Sequence, residues 1–297
     1  MLQKSTITLL RIPFSFFLMP VFFFALSQVP VINYPKAILV FIILHFIMYP
    51  ASNGYNSYMD SDDDSIGMLE KPPKPTRQLF YLTAVLDIMA VALSLFVNVI
   101  FTLCIIANIL ASRAYSYRGI RLKKYPVIGF LTVIIFQGAI TYFMVYHGAG
   151  DSRLTPHASR LTIDDIPLHG MLISSLLFGG FYPLTQIYQH KQDLKDGVQT
   201  ISYKLGIKGT FVFSGIMYAL AELALFIYFN NRQQLEHFAI LQIFFVPVLV
   251  YFIYWWRKVT VNRTNANFRY SFRMNIVAAS STNAAFILLY FLNHQHK

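Results

Sequence analysis

Apolar runs long enough to cross a bilayer recur along the whole chain, at residues 8–28, 36–56, 79–96, 97–112, 126–146, 167–187, 209–229, 237–256 and 274–292. A hydrocarbon core about 30 Å thick needs about 20 apolar residues per helix. Each run therefore reads as one transmembrane helix. The sequence therefore predicts an all-α, polytopic membrane protein of about nine transmembrane helices, a single domain over 1–297. Only 12% of the residues are charged, against about 25% in a soluble domain. Asn98 is the only polar break between the third and fourth runs, which requires a tight turn. The first run is long for the apolar part of a secretory signal and contains Pro13 and Pro20, so it reads as a retained helix.

Lys and Arg are unevenly shared between the two ends of these runs. Nineteen of the 24 fall on one side, in loops such as Lys71–Arg77, Arg113–Lys124, Lys191–Lys208 and Arg257–Arg273. Such a bias marks the cytoplasmic side. It predicts an N-terminus inside, a C-terminus outside, and polar chemistry facing the cytoplasm from the cell's inner membrane. The net charge of +11 is dispersed in short loops between apolar runs. It suits anionic lipid headgroups or diphosphates, and no nucleic-acid partner is expected. The one cysteine, Cys104, lies within an apolar run, which excludes an intramolecular disulfide and a Cys-rich metal site. The loop from His147 to Asp165 and the tail from Asn293 to Lys297 show no catalytic pattern.

One stretch stands out, Asn53 to Arg77, reading NGYNSYMDSDDDSIGMLEKPPKPTR. It holds Asp60, Asp62, Asp63 and Asp64, in a chain with only 13 acidic residues. Clustered carboxylates at a membrane boundary repel one another unless something positive sits among them. Asn56, Asp60 and Asp64 fall at i, i+4 and i+8, so on a helix that runs on they share one face. Hard oxygen ligands in that pattern suit Mg²⁺, which takes one or two protein carboxylates together with waters and substrate phosphates. The same spacing aims Asp62 away from the pair. The alternative is a solvated acidic loop.

A second polar group follows the sixth run. Gln189 and Asp193 are again at i and i+4, Asp196 is three residues on, and Gly197 breaks the helix. Tyr182, Gln186 and Tyr188 add polar atoms nearer the membrane, and Lys191, Lys195 and Lys204 add cations. On its own this is a charged interfacial loop; with the first stretch on the same side it reads as the other half of a metal–diphosphate site. A third element, Ser112 to Tyr125, is basic and aromatic with no acid. It serves either as a positive-inside anchor or as a phosphate clamp. Asp87 and Glu222 lie deeper within apolar runs, where an ionisable group is either functional or part of an internal polar network.

These residues resemble the UbiA superfamily of intramembrane prenyltransferases. Asn56-x-x-x-Asp60-x-x-x-Asp64 is similar to that family's first aspartate-rich motif, with Lys71-Pro72 where many members have Arg-Pro. Tyr115 to Lys124 resembles its basic segment, and Gln189-x-x-x-Asp193 with Gly197 and Thr200 its second aspartate-rich motif. The resemblance spans essentially the whole chain and implies a helical bundle around a central cavity open to lipid. It implies transfer of a prenyl group from a prenyl diphosphate to a lipophilic or aromatic acceptor, with Mg²⁺ as cofactor. Asn56, Asp60, Asp64, Gln189, Asp193 and Asp196 are then the candidate metal ligands, with Asp60, Asp64 and Asp193 the catalytic set. Asn56, Lys71, Tyr115, Arg118, Arg121, Lys123, Tyr188, Gln189 and Lys195 are the candidate substrate contacts. Gln189 stands where the family often has Asp, which leaves open whether Gln189 or Asp196 completes the second site.

Two other functions use the same features differently. A terpene cyclase on this scaffold would capture the prenyl cation within the same molecule. A transporter would hold its polar groups near the bilayer midplane on interrupted helices, whereas here the acids cluster at helix ends. No DG-x-x-AR pattern of a phosphatidyltransferase precedes the aspartates.

Overall fold

The computed structural model describes residues 2–151 and 166–294. The sequence expectations for most of the His147–Asp165 loop and for the end of the tail lie outside them. Ten helical elements follow in order. They are α1 (Lys4–Phe17), α2 (Met19–Gln28), α3 (Tyr34–Asp60), α4 (Arg77–Ser94), α5 (Val99–Ser116), α6 (Pro126–Ala149), α7 (Leu168–Lys195), α8 (Ile201–Asn231), α9 (Leu235–Val261) and α10 (Phe268–His294). Among the described residues there is no strand, only two isolated bridges. Eight of these helices are long and apolar enough to cross a membrane, and the pair α1–α2, bent by 43°, brings the count to nine.

The breaks have local causes. Arg11, at φ 47°, interrupts α1, and Pro13 and Pro20 sit in the first turns of the pieces that follow, where a missing N–H costs nothing. Asn98 makes the tight turn between α4 and α5. Its Oδ1 accepts from the Phe101 N–H at 2.8 Å, and its Nδ2 donates to the His147 carbonyl at 2.9 Å. Thr200 caps α8 by accepting from the Tyr203 N–H at 3.2 Å. Two helices carry π segments, Ile43–Met48 in α3 and Ile134–Ile140 in α6. Such segments each insert one residue into an α-helix and are frequent at functional sites. In the second of them, a Cβ on Gly138 would lie 2.6 Å from the Ser175 Cα, so glycine lets α6 and α7 touch backbone to backbone.

The burial pattern is that of a protein solvated by lipid. Ile88 is 71% exposed and Ile243 70%, while Asn108, Asn275 and Asn283 are buried. Aromatic packing fills the interior: Phe24 of α2 stacks on Phe286 of α10 at 4.7 Å and meets Tyr142 of α6 edge-on at 5.2 Å.

The acid-rich stretch does not continue as helix. The chain turns out of α3 at Ser61, whose φ is 51°. The expectation of one helical face for Asn56, Asp60 and Asp64 therefore holds only for the first two. The following loop is pinned by paired hydrogen bonds between Ile66 and Leu69, both 2.9 Å. Ile66 and Leu69 pack on Leu9, Leu10 and Leu79, which anchors the loop beside the break in α1 and the start of α4.

Candidate active site

Asn56 and Asp60 face inward from the last two turns of α3. The Asn56 amide donates to the Asp60 Oδ2 and to the Ser116 hydroxyl, each at 3.0 Å, tying α3 to α5. Asp60 also pairs with Lys123, and its side chain is only 6% exposed. Arg121 stands behind it, its Nη2 at 3.5 Å from the Asp60 Oδ1 and paired with Asp196. Arg121 has φ 52° and is buried, so the basic loop is folded inward onto the acids. Arg118 completes the tether, donating to the Met59 carbonyl at 2.8 Å and lying 3.5 Å from Asp196.

A cavity of ≈ 250 Å³ opens beside these groups. Asn56, Asp60, Tyr115, Lys123, Tyr188, Gln189 and Asp193 line it, seven of the residues expected from the sequence. The Gln189 amide also donates to the Ser65 carbonyl at 3.4 Å, closing the acid-rich loop against α7. Deeper in, Tyr115 and Tyr182 are joined hydroxyl to hydroxyl, and the Gln186 amide donates to Tyr182 at 2.7 Å.

Other expected residues stand elsewhere. Asp64 is exposed and absent from the cavity wall, because the turn at Ser61 ends the helical phase that would have carried it inward. Asp62 takes the inward position instead, contrary to its helical spacing. Lys71 and Lys195 are exposed and outside the wall. Asp196, Arg118 and Arg121 lie behind it as an ion-paired cluster. Asp63 is exposed and pairs with Lys74, which holds its carboxyl below the usual range.

The electrostatics favour a cation. Burial, and after it the Asp60 carboxylate, push the Asp62 carboxyl up to about 6 despite the opposing Lys123 and Arg11. The Asp60 Oδ1 and Asp193 Oδ2 are buried with no hydrogen-bond partner. Among the described residues no three His, Cys, Asp or Glu side chains are grouped closely enough to hold a metal by themselves. Such a site fits an ion that completes its shell with a ligand's own oxygens.

Sequence reasoning missed Arg11 and Asn53. Both line the cavity, and the Arg11 guanidinium donates to the Asn53 carbonyl at 3.1 Å. Asn53 had a findable signal, since it precedes Asn56 by three residues on one helical face. Arg11 had none, because only the fold brings α1 to the acid end.

A second, apolar pocket of ≈ 300 Å³ adjoins the first, and Phe178 and Phe181 line both. It runs between α2, α7, α8, α9 and α10 to Glu222, which accepts from the Gln242 amide at 2.9 Å. The deep acid Asp87 is paired with Arg113.

The family model for UbiA prenyltransferases matches residues 17–293. The chain belongs to the UbiA prenyltransferase family. Like that family's proteins it is a multi-pass integral membrane protein. A UbiA homologue from Archaeoglobus fulgidus, solved bound to DMAPP and Mg²⁺, is 16% identical over 98% of this chain and 99% of that one, with a TM-score of 0.67. A UbiA homologue from Aeropyrum pernix K1 in its apo form is 19% identical over 94% and 98%, with a TM-score of 0.68. A digeranylgeranylglyceryl phosphate synthase is 20% identical over 97% and 98%, with a TM-score of 0.60. At these identities the likeness is one of fold. No curated protein sequence matches the chain.

Proposed function

We propose that this UbiA-family protein moves a prenyl group from a prenyl diphosphate to a lipophilic acceptor within the membrane, with Mg²⁺. One observation carries the reading: an acid- and lysine-lined cavity lies against an aromatic apolar pocket, with Phe178 and Phe181 lining both. A prenyl diphosphate has that same polarity, a charged head on a hydrocarbon tail. The likeness to a homologue solved with DMAPP and Mg²⁺ supports it.

The orphaned carboxylate oxygens of Asp60 and Asp193 suit magnesium, with Asp62 and the Gln189 amide oxygen beside them on the wall. Asp64 has no part in this set. Bound magnesium supplies charge neutralisation on the departing diphosphate. Lys123, beside Asp60 on the cavity wall, is placed to hold the diphosphate oxygens. Arg121 and Arg118, fixed by Asp196, keep the basic loop folded over the head group. The C1–O bond breaks with its electron pair going to pyrophosphate. The allylic cation is held among Tyr115, Phe178, Phe181 and Tyr182, whose ring faces stabilise positive charge. An electron-rich acceptor atom forms the new bond to C1, and its proton leaves to pyrophosphate or water. The head-group end faces the cytoplasm, as the Lys/Arg bias implies.

The test uses purified protein, labelled prenyl diphosphate and a panel of aromatic and lipid acceptors, with Mg²⁺ or with chelator. Pyrophosphate release that needs both Mg²⁺ and an acceptor supports the reading. Release with Mg²⁺ and no acceptor, yielding a hydrocarbon or alcohol, identifies a cyclase. Transfer in excess chelator overturns the magnesium site.

A further inference from the structure

The inner wall of the polar cavity is built from amides. Gln186 and Asn275 are each 5% exposed. The Gln186 Oε1 and the Asn275 Oδ1 are buried without a hydrogen-bond partner, as are the Gln137 Oε1 and the Asn53 Nδ2. All four residues line the same cavity, from four different helices: α3, α6, α7 and α10. Buried polar groups in folded proteins are nearly always paired. Four amides, each with one buried atom unpaired, around one space point to a ligand that supplies the missing partners. The Gln186 side chain is already oriented for this, since its nitrogen is spent on Tyr182 at 2.7 Å and its oxygen is left over.

Among the described residues, the cations lining this cavity are either paired with a carboxylate, as Lys123 is with Asp60, or stand at its acid end, as Arg11 does beside Asp62 and Asp60. Arg113 is paired with Asp87, donates to the Thr83 carbonyl at 3.3 Å and lies 3.8 Å from the centre of the Tyr55 ring. Arg11 donates to the Asn53 carbonyl and faces the acid end. A carboxylate placed against Gln137, Gln186 and Asn275 would bring its charge beside amide oxygens in a desolvated space. A hydroxyl both donates and accepts, so it satisfies either end of an amide.

We propose that the acceptor is a neutral, hydroxyl-bearing molecule, a phenol or an alcohol, whose hydroxyls are read by Gln186, Asn275, Gln137 and Asn53. The inference rests on the prenyl-transfer reading and names its acceptor class. It separates this protein from a transferase that uses aromatic acids.

Three matched pairs test it on purified wild-type protein with labelled prenyl diphosphate: 4-hydroxybenzyl alcohol against 4-hydroxybenzoate, 1,4-dihydroxynaphthalene against its 2-carboxylate, and a long-chain alcohol against the corresponding fatty acid. The expected result is transfer to the hydroxyl member of at least one pair, with kcat/KM at least about tenfold above its carboxylate partner. In Gln186→Leu and Asn275→Leu the KM for that acceptor rises about tenfold or more while the KM for the prenyl diphosphate is unchanged. Asn275→Arg, which adds a cation to the wall, shifts the preference toward the carboxylate. Preference for the carboxylate member in wild type, transfer to no member of any pair, or acceptor KM values unmoved in both leucine variants would overturn the inference. A thermal shift on adding prenyl diphosphate and Mg²⁺ is read in parallel. With that shift present, a failure belongs to the acceptor inference; with it absent, the prenyl-transfer reading fails as well.

Discussion

Asp62→Asn is expected to raise stability and lower activity together. Asp62 sits on the loop after α3, at the cavity wall, and its carboxyl is held at about 6 by burial and by the neighbouring Asp60. Unfolded, the group titrates near its ordinary 3.8. The folded protein therefore binds this proton more tightly than the unfolded chain. Without metal, stability falls as pH rises from about 4 to about 6 and is flat above, as far as this group decides it. A difference of this size corresponds to about 3 kcal/mol, and relaxation of a loop residue in partial contact with water reduces it to about 1–2 kcal/mol. Asparagine keeps the shape and removes the charge. At pH 7 in chelator the variant should melt a few degrees above wild type, at about 2–4 °C per kcal/mol for a protein of this order of size. At pH 4 the two should coincide. Turnover with Mg²⁺ should fall about a hundredfold, because a carboxylate that helps hold the cation beside the departing diphosphate is lost. The assay is thermal unfolding in detergent from pH 4 to pH 8 alongside turnover of the same preparations. Asp64→Asn is the control, and its exposed position leaves both quantities at wild-type values. A lower melting temperature for Asp62→Asn at pH 7, or wild-type turnover, would refute the argument.

Four further outcomes follow from the geometry. Asp60→Asn and Asp193→Asn should each cut turnover by about 10²–10³-fold while the protein still inserts and binds detergent as wild type does, checked by steady-state kinetics and size-exclusion chromatography. Asp196→Asn should loosen the basic loop and raise the KM for the prenyl diphosphate about tenfold without moving the Mg²⁺ dependence, whereas Gln189→Ala should raise the Mg²⁺ concentration needed; identical Mg²⁺ titrations for the two would contradict their separate roles. Adding a chelator should stop turnover, and excess Mg²⁺ should restore it. Gly138→Ala, which drives a Cβ into the Ser175 backbone, should destabilise the α6–α7 contact by about 1–3 kcal/mol, read as a lowered melting temperature.

What the sequence made legible followed from periodicities that survive into the structure. The apolar runs became the helices because lipid-facing stretches must be long and continuous, and Asn98 made the turn its polarity required. The pairs Asn56–Asp60 and Gln189–Asp193 reached one cavity because each lies on a stretch of chain that runs along its wall. The reading of Asp62 and Asp64 was reversed at a single residue. Ser61 takes a left-handed conformation that ends α3, and no spacing rule applies beyond that point. Arg11 could not be read at all, since its nearness to the acids depends on how α1 docks against α3. Asp196 was weighed as a metal ligand on spacing alone, and its pairing with Arg121 depends on a loop that folds back across the site.

The π segment of α3 gives the site an unusual dependence on how one turn is wound. An α-helix turns by about 100° per residue, and the wider winding of the Ile43–Met48 segment absorbs one residue without adding to that rotation. Asn53, Asn56 and Asp60 all come after it. The same residues wound as regular α-helix would swing all three about a quarter-turn round the axis, away from their present direction. Deleting one residue while the segment reverts to α-helix cancels that swing. The segment works as the setting of a dial, and what holds the setting is the hydrogen-bond pattern of one turn.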